Sequence, residues 1–201
     1  METLLVATHN QGKRAEIAQL LADVGVACVT LDDVGVCVDV EETGTTFNAN
    51  AVLKAEGYAQ MTGLLTLADD SGLEVEALGG APGVYTKRFG GAELSQPERN
   101  ALLLKRLAAL DGAARGARFR CVMALARPDG LLGTAEGSLE GEIAMTPAGT
   151  GGFGYDPVFF LPDAGRTLAE IERAAKNEIS HRARALRAIT PLLRQTLSGV
   201  G

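Results

Sequence analysis

Tryptophan is absent from the 201 residues, and aromatic residues together make up only 4%. With 46% of the chain hydrophobic, the core must be built mostly from Leu, Val and Ala. The three cysteines, Cys28, Cys37 and Cys121, have no CxxC spacing and no neighbouring histidine. That pattern excludes a cysteine-ligated zinc site and a disulfide framework, and the three are expected to be buried, reduced thiols of a cytoplasmic protein. No apolar run approaches the ~20 residues needed to span a bilayer, so no membrane association is expected. The opening Met-Glu-Thr-Leu-Leu-Val-Ala carries an early acid and too short an apolar run for a signal peptide. Positive charge is also scarce: 19 Lys and Arg against 25 Asp and Glu give a net charge of −6. A broad nucleic-acid-binding surface is thereby excluded, although a few local cations could still hold a small anion. No GxxxxGK[ST] occurs, so there is no Walker loop.

What is present suits one domain over 1–201, or one domain with two lobes around a cleft. Thr3 to Ala7 is a short apolar run that predicts a buried strand. Ile17, Leu20, Leu21 and Val24 recur at helical spacing, so that strand enters a helix through Thr8-His9-Asn10-Gln11. Val26 to Leu31 predicts the next strand, and Thr45-Thr46 a cap for a second helix that packs Ala51, Val52, Ala55 and Ala59. Leu64 to Ala68 predicts a strand ending at Asp69-Asp70. After it, Leu73, Val75 and Ala77 alternate with Glu74 and Glu76 as a separate half-buried strand. Ser95 and Pro97 open a helix with Leu102, Leu103, Leu104 and Leu107. Arg118 to Ala126, the turn Pro128-Asp129-Gly130 and the run from Leu131 form a hairpin. A strand at Val158 to Phe160 follows a glycine-rich segment. Ser180 caps a last helix with Leu186, Ile189 and Leu193 inward and a bend near Pro191. Strand–helix steps mixed with a hairpin predict an α/β fold with a mixed sheet flanked by helices.

Four constellations bear on chemistry. Thr8-His9-Asn10-Gln11-Gly12-Lys13 stands at a strand-to-helix junction, where free backbone N–H groups favour an anion; it also reads as an ordinary capped helix start. The carboxylates Glu41-Glu42 and Asp69-Asp70 suit magnesium, which takes hard oxygen ligands together with substrate phosphates. Asp69-Asp70-Ser71-Gly72 is equally good turn chemistry. Gly149-Thr150-Gly151-Gly152-Phe153-Gly154-Tyr155-Asp156-Pro157 could close over a planar ligand with Phe153 or Tyr155 stacked on a base, or be a tight turn whose aromatics pack inward. Lys176-Asn177-Glu178-Ile179-Ser180-His181-Arg182 could meet a phosphate or a base carbonyl, or simply face solvent.

Taken in order, these segments resemble the inosine triphosphate pyrophosphatase, or Ham1-like, family. The likeness is carried by Thr8-x-Asn10-x-x-Lys13, Glu41-Glu42-Thr43-Gly44, Thr46-Phe47, Asn50-Ala51, Lys54-Ala55 and Ala68-Asp69-Asp70-Ser71-Gly72-Leu73. Gly79-Gly80-Ala81-Pro82-Gly83, Gly149 to Pro157 and Ile179-Ser180-His181-Arg182 complete it. The resemblance implies hydrolysis of ITP, dITP and XTP to the monophosphate and pyrophosphate. It also implies a two-lobed α/β fold with a long central mixed sheet and an active-site cleft between lobes, a magnesium cofactor and a homodimer. By position, Thr8, His9, Asn10, Gln11, Gly12 and Lys13 would hold phosphates, with Lys54 reaching the same end. Glu41 and Asp70 would bind the metal, and Asp70 would accept the proton. Ser71, Phe153, Gly154, Tyr155, Asp156, Lys176, His181 and Arg182 would contact the nucleotide. His9 stands where a small residue is usual and Ala49 where a Glu is usual; Lys87 and Ala175 also depart from the pattern.

Two other classes compete for the same residues. A phosphomonoesterase with an aspartyl nucleophile would want DxDx[TV], whereas Asp69 and Asp70 are adjacent. A nucleotide sensor would keep the pocket without turnover.

Overall fold

The computed structural model describes residues 3–110 and 114–198. Seven strands form one sheet in the order β2-β1-β3-β4-β5-β6-β7. β1 (Thr3–Val6) pairs in parallel with β2 (Ala27–Thr30) and with β3 (Leu65–Val75). β4 (Gly116–Arg127) and β5 (Gly130–Ile143) are joined by a two-residue turn. β6 (Phe159–Leu161) is antiparallel to both β5 and β7 (Arg166–Thr167), so the sheet is mixed.

Local sequence explains where the helices begin. α1 (Gln11–Leu21) starts at Asn10, whose side chain accepts from the Lys13 amide. Thr46 does the same for Ala49 at the head of α2 (Phe47–Thr62), which ends at Gly63 in the left-handed region. α3 (Gln96–Ala108) opens with a reciprocal Ser95–Glu98 capping box. The chain closes with α4 (Arg173–Ile179) and α5 (His181–Ser198), the latter with Pro191 inside it.

Several local expectations differ from what is found. Of the three cysteines only Cys121 is buried, Cys28 and Cys37 being exposed. Residues 69–72 do not turn, and β3 runs unbroken from Leu65 to Val75. Asp-Asp-Ser-Gly favours a turn only where the backbone lacks ladder partners, and here β3 lies between β1 and β4. The strand near Val158 begins one residue later, after a short 3₁₀ turn at Asp156–Val158. α4 had no sequence reading because seven residues carry less than two apolar repeats.

The chain divides into two compact units. The first holds the described residues up to Asp70, Cys121–Gly137 and those from His181 onward. Its core gathers Leu4, Val6, Ile17, Leu21, Leu65, Leu67, Met123, Leu125, Leu186, Ile189 and Leu193. The second, Ser71–Arg120 with Ser138–Ser180, is built around Leu73, Val75, Phe89, Leu103, Phe119, Tyr155, Phe159 and Leu168. Both cores are aliphatic in the main, as a chain so poor in aromatics requires. Among the described residues no helix is long and apolar enough to cross a membrane.

Candidate active site

Successive side chains leave a strand on opposite faces, and this separates Asp69 from Asp70. Leu65 and Leu67 on β3 join the core formed by α1 and α5, and Asp69 follows them on that face. Its Oδ2 lies 2.9 Å from Lys13 Nζ and 3.4 Å from Arg182 Nη2, with the Cys121 thiol 3.8 Å away. Arg182, buried to 1% exposure, also pairs with the buried Glu16 of α1. Burial opposes the charge on Asp69, but Lys13, Arg182 and Lys54 overcome it and hold the carboxyl well below the usual carboxylate range. Arg182 is likewise disfavoured by burial and held charged by Asp69 and Glu16. Burial, with Asp69 beside it, pushes the Cys121 thiol up, so it stays protonated.

Asp70 faces α2. Asn50 Nδ2 donates to its Oδ2 at 3.2 Å, and Lys54 Nζ is 3.3 Å from its Oδ1. Asn50 and Lys54 lie four apart and therefore on one helix face. Lys54 also reaches Glu42 at 3.3 Å. Burial works against the Lys54 charge, yet Asp70, Asp69 and Glu42 together hold its pKa above the ordinary value. Burial pushes the Asp70 carboxyl up, and Lys54 and Lys13 offset this only in part, with Glu42 adding to the rise. The one ammonium, set among three carboxylates, stays charged.

The first unit also holds the expected phosphate segment. Asn10 caps α1 and its own amide donates to Thr8 Oγ1 at 3.2 Å. His9, Asn10 and Gln11 are exposed at the helix start, Gly12 is half-buried, and Lys13 reaches back to Asp69. Glu41 is exposed; Glu42, next to it, makes the contact with Lys54. His181 is buried at the head of α5, two residues after Ile179 closes α4.

In the second unit, Lys176 and Asp156 form a buried ion pair at 2.6 Å, and the Lys176 ammonium stands 4.9 Å over the Phe153 ring. Asp156 Oδ2 also accepts from the Phe153 amide at 2.8 Å. Gly152, at φ 69°, makes this possible, since a Cβ there would lie 2.0 Å from the same oxygen. Phe153 is half-buried, whereas Tyr155 is buried and donates its hydroxyl to the Thr86 carbonyl at 3.1 Å. Burial pushes the Tyr155 pKa up to about 12, so the phenol remains a donor. Asn100 of α3 fixes the loop by donating to the Gly154 carbonyl at 3.2 Å. Ser71 is half-buried on β3.

Sequence reasoning missed Glu16, Asn50 as an Asp70 partner, and Glu42 as the acid that meets Lys54. Helical spacing was the available signal: Glu16 is three residues from Lys13, and Asn50 four from Lys54. Asp69 Oδ1 is buried and has no hydrogen-bond partner. That orphaned oxygen, and the buried Asp70 on the opposite face of the strand, are the hard oxygen donors a divalent cation takes, one or two protein carboxylates sufficing when phosphates complete its shell. Among the described residues no three acid, His or Cys groups cluster as a ready metal cage, so such an ion would draw its remaining ligands from phosphate oxygens.

The geometry can be set beside known proteins. A family model described as the Ham1 family matches residues 4–192. A dITP/XTP pyrophosphatase of Desulforamulus reducens is 48% identical over 190 residues, 94% of each chain. One from Thermus thermophilus is 50% identical over 186 residues, 92% of this chain and 89% of the relative. Among solved structures, a HAM1 protein from Coxiella burnetii superposes with a TM-score of 0.89 at 41% identity, covering 97% of this chain and all 100% of that one. A Mycobacterium abscessus structure titled nucleoside-triphosphatase / dITP/XTP pyrophosphatase gives 0.75 at 43% identity, over 94% and 99% of the two chains.

Proposed function

The chain belongs to the Ham1 family, and from that premise we propose that it hydrolyses dITP, XTP and ITP to the monophosphate and pyrophosphate. The observation that carries this reading is Asp70: a buried carboxylate with a raised pKa, one face of a strand away from a second carboxylate already neutralised by Lys13 and Arg182. Phosphoryl chemistry depends on positioning and on cations around developing charge, and this unit concentrates both.

The cofactor in this reading is magnesium, held by Asp70 and Glu41. When bound, it supplies Lewis-acid stabilisation of phosphate charge. The chain's own residues do the rest. Lys13 and the Thr8–Gly12 segment bind phosphate at the start of α1, and Lys54 neutralises charge at the same end. Asp70 accepts the proton of the water that attacks the α-phosphorus, pyrophosphate being the leaving group. Lys13 and Arg182, the latter itself paired with Glu16, hold Asp69 ionised. By the resemblance, the half-buried Phe153 would contact the base. His181 would be the donor that favours the C6 carbonyl of hypoxanthine or xanthine over the C6 amine of adenine; Arg182, the other donor expected there, is committed to Glu16 and Asp69. The resemblance further supports a cytoplasmic homodimer, which light scattering at assay concentration checks.

The test is a panel of dITP, XTP, ITP, GTP and ATP with magnesium, scoring pyrophosphate and phosphate separately. The reading expects pyrophosphate from the first three and kcat/KM for ATP lower by at least ~10²-fold. Equal kcat/KM for ITP and ATP overturns the base assignment. Inorganic phosphate as sole product supports an aspartyl phosphomonoesterase, and tight binding without turnover a sensor.

A further inference from the structure

The segment before α2 is fastened along that helix at matched intervals. Residues 38–44 have no regular secondary structure. The Gly44 amide donates to Asn50 Oδ1 at 2.8 Å, Glu42 meets Lys54 at 3.3 Å, and the Val40 amide donates to the Tyr58 hydroxyl at 3.3 Å. That hydroxyl in turn donates to the Val38 carbonyl at 3.4 Å. Strap residues 44, 42 and 40 thus meet helix residues 50, 54 and 58, antiparallel. Two residues of extended chain advance about 6.6 Å and four residues of helix about 6 Å, so the two repeats stay in step over this length.

Two glycines allow the strap to lie flush. A Cβ on Gly57 would come within 2.9 Å of Val40 Cγ2, and one on Gly44 within 2.6 Å of Asn50 Oδ1. In a helix interior, Ala is favoured over Gly by roughly 1 kcal/mol, so any loss on placing Ala at 57 reports the strap contact and not the helix.

We propose that Tyr58 and Gly57 are positioning residues that hold residues 38–44 in register on α2, and that this register decides which of the adjacent acids, Glu41 or Glu42, is presented to the metal site. The proposal rests on the reading of Asp70 and Glu41 as the metal-holding pair. Val40 and Glu42 are turned to α2, and alternation along the strap leaves Glu41 on the opposite side with Asp39, whose carboxylate is 3.7 Å from His9 of the phosphate segment. A slip of one residue exchanges the two sides: Glu41 would go to Lys54 and Glu42 to the site.

The experiment uses Tyr58→Phe, which keeps the ring, and Gly57→Ala with and without Val40→Ala. Backbone hydrogen exchange, Mn²⁺ binding by calorimetry, and the magnesium dependence of dITP hydrolysis are measured on each. In Tyr58→Phe the Val40 amide and also the distant Gly44 amide exchange about fivefold faster, as expected for loss of one hydrogen bond in a cooperative strap. The Kd for Mn²⁺ and the half-saturating magnesium concentration both rise about tenfold, while kcat at saturating magnesium is kept. Gly57→Ala reproduces these changes, and adding Val40→Ala reverses them by removing the opposing methyls. If Val40 alone exchanges faster and Mn²⁺ affinity is unchanged, or if Val40→Ala fails to rescue Gly57→Ala, the proposal is overturned. A wild-type protein without triphosphate hydrolysis defeats the functional reading instead, and the exchange and Mn²⁺ results still decide the register.

Discussion

Asp69 and Asp70 are neighbours in sequence with opposite titration behaviour, because β3 sends them to opposite faces. Asp69 has a depressed pKa, so it contributes stability above the ordinary value of 3.8, and that contribution is lost as pH falls below it. Asp70 has a raised pKa, so its ionisation costs stability: the contribution is complete below 3.8 and is lost as pH rises through the raised value. At neutral pH, Asp69→Asn is therefore expected to lower the melting temperature, while Asp70→Asn leaves it unchanged or raises it. The two variants separate in activity as well. Asp70→Asn loses kcat by at least ~10²-fold with the fold intact. Arg182→Met takes a buried cationic partner from two buried carboxylates, Glu16 and Asp69, and should cost about 3–5 kcal/mol by denaturant unfolding. The buried role of Arg182 was not legible in the sequence, since arginine at a helix start is usually solvated. Nor could spacing separate Glu41 from Glu42, because which acid meets Lys54 depends on the strap's register.

At the scale of elements, helix starts were readable because their caps are local. Thr46, Ser95 and the Thr8–Asn10 junction do what short-range chemistry assigns them. β3 was misread at its centre for the complementary reason: its continuity comes from β1 and β4, which no local window contains. The same long-range logic makes a glycine in β5 indispensable. A Cβ at Gly137 would lie 2.3 Å from the His181 carbonyl and 2.4 Å from the Ala185 amide, both backbone atoms of α5. Gly137→Ala must push that helix away, so a loss of about 1–3 kcal/mol is expected from overpacking. Because α5 carries His181 and Arg182, this variant should also weaken dITP turnover. A fully active, equally stable Gly137→Ala would show that the approach of β5 and α5 does not constrain those residues.

For the whole molecule, the α/β class and mixed sheet followed from the order of periodic segments, and the aliphatic character of both cores from the shortage of aromatics. Strand order did not, since the positions of β2, β6 and β7 depend on pairings distant in sequence. In a chain of net charge −6, the local cations Lys13, Lys54 and Arg182 suit the proposed small polyanion with its metal better than an extended nucleic acid. Chelation of divalent ions should therefore abolish turnover without unfolding the protein, and magnesium should restore it. The proposed reaction cleaves the bond at the α-phosphorus under the control of Asp70. Hydrolysis of dITP in ¹⁸O-labelled water, wild type beside Asp70→Asn, tests this in one measurement. The prediction is ¹⁸O in the nucleoside monophosphate, none in pyrophosphate, and turnover nearly absent in the variant. Label in pyrophosphate or in free phosphate, or an Asp70→Asn enzyme turning over at the wild-type rate, would contradict it.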